Sequence, residues 1–78
     1  MTTRAYVLIQ TEVGRSVEVR TAVAAIDGVA EAHDVTGPYD VIAQTEASTM
    51  DELAKMVISR IQMIGGITRT LTCPVVNL

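Results

Sequence analysis

The sequence contains no tryptophan and no phenylalanine, and its only aromatic residues are Tyr6 and Tyr39. Platforms for stacking nucleic-acid bases are therefore scarce. There is one cysteine, Cys73, and one histidine, His33. A single thiol excludes an intrachain disulfide, and a single imidazole makes a zinc site within one chain a poor expectation. Charge is thin as well: 19% of residues are charged and the net charge is −3. The basic residues Arg4, Arg15, Arg20, Lys55, Arg60 and Arg69 are dispersed and form no stripe, which disfavours direct nucleic-acid binding. No apolar run approaches the roughly 20 residues of a membrane span. No export leader opens the chain. A free thiol without a leader predicts a cytoplasmic protein, with no membrane partner and no cofactor.

What is present is apolar. Hydrophobic residues make up 49% of a 78-residue chain, and most are Val, Ile, Ala and Leu. A chain of this length forms one domain, and the whole of 1–78 is expected to be that domain. Such a domain buries only about 60% of its unfolded surface and is marginally stable alone. Disulfides and metals being disfavoured, a partner subunit is the remaining source of stability.

Ala5-Tyr6-Val7-Leu8-Ile9 is a continuous apolar run, read as a first strand buried on both faces. After Gly14 the period changes. Val19, Ala22, Val23 and Ile26 form a helical stripe, and Val17 falls off it. Gly28 is the expected left-handed cap of this helix. Val29–Val35 and Val41–Thr45 are short apolar runs on either side of Gly37-Pro38, read as a hairpin. Thr49-x-x-Glu52 fits a capping box, with Ser48-x-x-Asp51 a weaker version. Leu53, Met56, Val57, Ile61 and Ile64 form the stripe of the second helix, which Gly65-Gly66 ends. In Ile67–Val76, Ile67, Leu71, Cys73 and Val75 alternate with Thr68, Thr70, Thr72 and Pro74, with Arg69 on the apolar side. Pro74 predicts an edge strand.

The order βαββαβ predicts an α+β, ferredoxin-like sandwich: a four-stranded antiparallel sheet with both helices on one face. The other face is left bare. Since strand one is apolar on both sides, a second copy or another protein is expected to cover it.

Signals for enzyme chemistry are weak, and the expectation is a non-enzyme. His33 and Asp34 are strand neighbours, so they point to opposite faces and make no dyad. Cys73 has no basic neighbour or helix start to activate it and reads as a small buried hydrophobe. Met56 reads as core, whereas Met50 and Met63 read as interface filler.

The turn Gly37-Pro38-Tyr39-Asp40 is more informative. A carboxylate at the mouth of an apolar hairpin can hold an ammonium group, and it can equally well bond nearby backbone. Thr68, Thr70 and Thr72 share one face of a regular strand. Their hydroxyls donate and accept, which suits the carboxylate end of a zwitterion, although β-propensity alone also explains them.

Together, Ala5–Gly14 (AYVLIQTEVG), Val29–Val41 (VAEAHDVTGPYDV) and Gly66–Thr72 (GITRTLT) resemble the ligand-sensing, RAM-type domain of the Lrp/AsnC, or feast/famine, transcriptional regulators. The resemblance covers nearly the whole chain, and Thr36-Gly37-x-Tyr39-Asp40 is its most specific part. It implies sheets packed face to face in a homodimer, dimers assembled into rings that are commonly octamers, and an amino-acid effector held between dimers. By position, Gly37, Pro38, Tyr39 and Asp40 would form one wall of that site, and Thr70 and Thr72 of a neighbouring subunit the other. No helix-turn-helix precedes Met1, so the resemblance implies a stand-alone sensing domain without its own DNA-binding unit. A full-length relative is a partner it would suit. Pro38 offers no charge to a cationic side chain, which favours neutral effectors over lysine or arginine. Two rival readings remain, a structural assembly module without a ligand and a small dimeric α+β-barrel enzyme. An ACT-type regulatory domain has a similar topology, but the Tyr39-Asp40 hairpin favours the first family.

Overall fold

The computed structural model describes residues 2–76. Strands β1 (Thr3–Thr11), β2 (Val29–Asp34), β3 (Val41–Ala47) and β4 (Ile67–Pro74) form one sheet in the order β2-β3-β1-β4. Every neighbouring pair is antiparallel. Helix α1 (Ser16–Ala24) links β1 to β2. A second, composite helix links β3 to β4: α2 (Met50–Glu52), a π-helical stretch (Leu53–Ile58) and α3 (Ser59–Gln62). This is the expected ferredoxin-like α+β arrangement, and β4 is an edge strand, as Pro74 requires.

Alternation along the strands divides the sheet into two faces. Ala5, Val7 and Ile9 of β1 and Val41, Ala43 and Thr45 of β3 point toward the helices and are fully buried. Val19 and Val23 of α1 and Leu53, Val57 and Ile61 of the composite helix close the core from above. Thr45 is the one buried polar residue among those described. Its hydroxyl donates to the Ala5 carbonyl at 2.8 Å, so its burial leaves no donor unmatched. On the opposite face Tyr6 is 44% and Leu71 45% exposed, while Leu8 and Ile42 are half-buried. Among the described residues, no element covers that face.

Several expectations need correction. Met56, read as core, is 53% exposed. The π-helical stretch is the physical reason. At the α-helical turn of about 100° per residue, Met56 would lie only about 60° from Leu53. Bonding five residues back turns each residue less. That keeps Leu53, Val57 and Ile61 on one line, four apart, and rotates Met56 off it. Ala22, placed on the stripe of α1, is exposed, because α1 buries only Val19 and Val23.

Cys73, expected to be buried, is exposed. It pairs with Tyr6 on the open face of the sheet. The alternation of β4 is also interrupted. The register shifts between Gln10 and Thr11, which pair with Arg69 and Ile67. Thr68 is the extra residue of this β-bulge, which inverts the alternation on its N-terminal side. Ile67 therefore packs on the core, while Leu71 lies on the open face with Leu8. Thr68 is likewise separated from Thr70 and Thr72, and the expected face of three threonines is reduced to two.

The helix boundaries follow the sequence closely. Glu52 donates its backbone N–H to Thr49 Oγ1 at 3.1 Å, so Thr49 rather than Ser48 caps the second helix. Gly28 has φ +97°, the left-handed conformation expected after α1. At the start of α1, Arg15 bonds Glu18 at 2.8 Å. That bond holds the Glu18 carboxyl below the usual carboxylate range and raises the guanidinium. The pair is exposed and contributes little.

Candidate functional site

The hairpin turn is built from its backbone outward. The Val35 N–H donates to the Asp40 carbonyl at 2.9 Å, and the Asp40 N–H donates to the Ile9 carbonyl at 2.9 Å. These bonds close the turn and hold it against the end of β1. Gly37 has φ +130° and nothing within 4 Å of where a Cβ would stand. Its glycine is a backbone requirement, free of any packing constraint. Pro38 and Tyr39 line a cavity of about 440 Å³ on the open face of the sheet, together with Leu8, Val35, Thr36 and Ile42. The lining is almost wholly apolar.

The Asp40 carboxylate has a definite role within the chain. Its Oδ2 accepts the Thr11 N–H at 2.8 Å and lies 3.3 Å from the Thr11 hydroxyl. Where the turn carries the β3 backbone away from β1, this oxygen replaces the missing carbonyl and extends the ladder by one bond. Oδ1 makes no hydrogen bond within the described residues. Removing the carboxylate by Asp40→Ala orphans the Thr11 N–H and should cost about 1–3 kcal/mol in urea unfolding. Asp40→Asn keeps an oxygen acceptor and should cost less than half as much. Equal losses would show that the charge, rather than the acceptor, matters to folding.

Thr70 and Thr72 are half-buried on the helix-side face of β4, paired with Ile9 and Val7. β4 and β3 lie on opposite sides of β1, so within one chain these threonines stand about 10 Å from the turn in strand spacing alone. Gly37, Pro38, Tyr39 and Asp40 are brought together by one chain. Thr70 and Thr72 are not brought to them.

Two residues not singled out from the sequence, Gln10 and Thr11, tie the turn to the sheet, with Thr68 bonded to Gln10 behind them. Gln10 Nε2 donates to the Pro38 carbonyl at 3.4 Å, and Thr68 Oγ1 lies 3.2 Å from the Gln10 carbonyl. Polar residues at the end of an otherwise apolar strand, next to a carboxylate-bearing turn, were the available signal. Elsewhere, His33 meets Glu31 at 3.3 Å while Asp34 meets Arg20 at 2.7 Å, so His33 and Asp34 form no dyad. Among the described residues no group of His, Cys, Asp or Glu could hold a metal ion, and no helix is long and apolar enough to cross a membrane.

Comparison with known proteins agrees with this architecture. The family model of the Lrp/AsnC ligand binding domain matches residues 4–77. An uncharacterized helix-turn-helix-type transcriptional regulator of Pyrococcus furiosus is 34% identical over 73 residues, covering 90% of this chain and 49% of the relative. The chain thus spans about half the length of that relative. The crystal structure of a Thermus thermophilus protein superposes with a TM-score of 0.89 at 33% identity, covering 97% of this chain and 95% of the other. A Neisseria meningitidis transcriptional regulator solved as a complex with L-Met has the same fold, with a TM-score of 0.80 at 14% identity, covering 96% of this chain and 50% of the other.

Proposed function

The chain belongs to the Lrp/AsnC ligand-binding domain family, and from that membership we propose that it is a homo-oligomeric sensing domain that binds a small effector, specifically a neutral amino acid. It then acts on transcription or amino-acid metabolism through a partner, for which a full-length relative is suited, in the cytoplasm. The family match over residues 4–77 carries this reading. The L-Met complex of a regulator with the same fold supports the choice of an amino acid. Chemistry supports the site: Asp40 Oδ1 is free to accept an ammonium, and Gly37, Pro38 and Tyr39 shape the turn around it. Thr70 and Thr72 lie too far across their own sheet to reach the same ligand. A neighbouring subunit of a ring would supply them.

Calorimetric titration with the twenty amino acids tests this reading. One charge-assisted bond contributes roughly 1.5–3 kcal/mol, so Asp40→Asn should weaken the best ligand by about ten- to a hundred-fold while the protein stays folded. Asn is the informative substitution because it preserves the bond to Thr11. Unchanged affinity would place the site elsewhere. A well-folded protein that binds none of the twenty would favour the second reading, an assembly module, for which the commitment of Asp40 Oδ2 to Thr11 is the specific observation.

Direct DNA binding is not expected of this chain. Arg15, Arg20 and Lys55 are already paired with carboxylates, which leaves Arg4, Arg60 and Arg69 scattered on an acidic molecule. A mobility-shift assay at low salt should show no sequence-dependent complex. A tight, sequence-dependent complex would overturn that expectation.

A further inference from the structure

Among the described lysines and arginines, Arg69 alone is both unpaired and close to the turn. Arg15, Arg20 and Lys55 already meet carboxylates. Arg4 lies toward the far end of β1, paired with Glu46, and Arg60 sits in the helix layer. Arg69 is exposed and makes no ion pair among the described residues. It pairs with Gln10, at the end of β1 where the turn is anchored. The pairing is regular from Arg69 to Leu71, so residues two apart share a face and Arg69 stands on the open face with Leu71. Gln10 stands there too, and its Nε2 donates to the Pro38 carbonyl at 3.4 Å. Since β3 and β4 flank β1, the α-carbons of Arg69 and Asp40 are about 10 Å apart in strand spacing. Thr70 and Thr72 cannot cross that gap, being short and turned toward the helices. Arginine has a long stem and is on the turn's side of the sheet.

We propose that Arg69 binds the carboxylate of the effector whose ammonium meets Asp40, so that one chain answers both charges of a zwitterion. The inference rests on the amino-acid-sensing reading and names the ligand class of that site: α-amino acids with a free carboxylate, to the exclusion of simple amines, amides and esters. A guanidinium is always charged and offers a carboxylate two parallel N–H donors. A threonine hydroxyl offers one neutral bond. Asp40 by itself would accept any amine. A cation held across β1 from it favours the amine that also carries a carboxylate, and it repels a ligand with a cationic side chain. Gln10 spans the ground between the two. Its amide meets the Pro38 carbonyl on the turn side, and its Oε1 lies 3.4 Å from Thr68 Oγ1 on the β4 side. The assignment also gives a role to the one break in the alternation of β4, a charge on its apolar side. In a ring, a neighbour's Thr70 and Thr72 would add neutral hydrogen bonds to this site and no counter-charge.

Calorimetric titration with the twenty amino acids and their α-amides tests the assignment. At about pH 6 acid and amide both carry the ammonium, and only the acid carries the carboxylate. The wild-type protein should bind its best amino acid at least tenfold more tightly than the matching amide. Arg69→Gln should weaken the acid about ten- to a hundred-fold and leave the amide unchanged, erasing the preference. Arg69→Lys should recover part of it, because it keeps the charge and loses the fork. Asp40→Asn should weaken acid and amide alike. Arg69 is exposed, so both of its variants should unfold at the wild-type temperature. A wild-type protein that binds amide and acid equally would overturn the role of Arg69. So would an Arg69→Gln protein that binds the acid as tightly as wild type, or that loses acid and amide together. Each of these outcomes leaves the sensing reading standing. A folded wild-type protein that binds none of the twenty would overturn both.

Discussion

Gly28→Ala should lower stability by about 2–5 kcal/mol, a large share of what a domain of this size possesses. Two effects add at one position. An alanine at φ +97° carries a backbone cost of about 1–2 kcal/mol. Its Cβ would also stand 2.5 Å from Val57 Cγ2 and 3.2 Å from the Glu46 carbonyl oxygen. Val57 is buried in the core, and its β-branched side chain is stiff at χ1, so overpacking adds about 1–3 kcal/mol. The Glu46 N–H donates to the Gly28 carbonyl at 2.8 Å, which pins the backbone at the contact. In thermal unfolding the loss should appear as a fall in Tm of roughly 10–30 °C. Gly14→Ala is the control. Gly14 also has positive φ, but nothing lies within 4 Å of an added Cβ, so only the backbone cost applies. If the two variants lose equal stability, the Val57 contact is not what constrains Gly28.

A lysine at Val7 and a lysine at Leu8 should fail in different ways. From the sequence, both belong to a strand expected to be buried on both faces, where a lysine at either position would be equally disruptive. In the structure they are neighbours on opposite faces. Val7 is fully buried beneath the helices. A lysine there places an unpaired charge in the core at a cost of about 3–5 kcal/mol, comparable to the whole stability of a small domain. Val7→Lys should therefore be unfolded by circular dichroism whatever the assembly state. Leu8 is half-buried at the centre of the open face. Leu8→Lys should keep native circular dichroism and lose association in light scattering. An associated Leu8→Lys protein would show that subunits meet elsewhere, and a folded Val7→Lys protein would mean that the helix layer does not seal the core.

The sequence by itself determined the order of elements, because each change of period is written locally. The continuous run at Ala5–Ile9, the i, i+3, i+4 spacing after Gly14, the Gly37-Pro38 turn and the Thr49 cap each involve residues within a few positions of one another. The same locality made the left-handed Gly28 and the edge position of β4 readable, since a proline cannot donate to a ladder. Tertiary structure decided which side each residue faces and what Asp40 does. Alternation fixes only that neighbours differ. Which half of β4 is buried depended on a bulge at Gln10/Thr11 that moved Ile67 to the core and Leu71 to the open face. Met56 left the core because the second helix widens at Leu53–Ile58, and Cys73 is exposed because β4 has no helix over its outer face. Asp40 looked like a residue bonding its own turn or waiting for a ligand. Its Oδ2 accepts the backbone N–H of Thr11, 29 positions away. That bond exists only because the antiparallel pairing of β1 with β3 brings a strand end and a turn side by side, and no spacing within the chain encodes such a meeting.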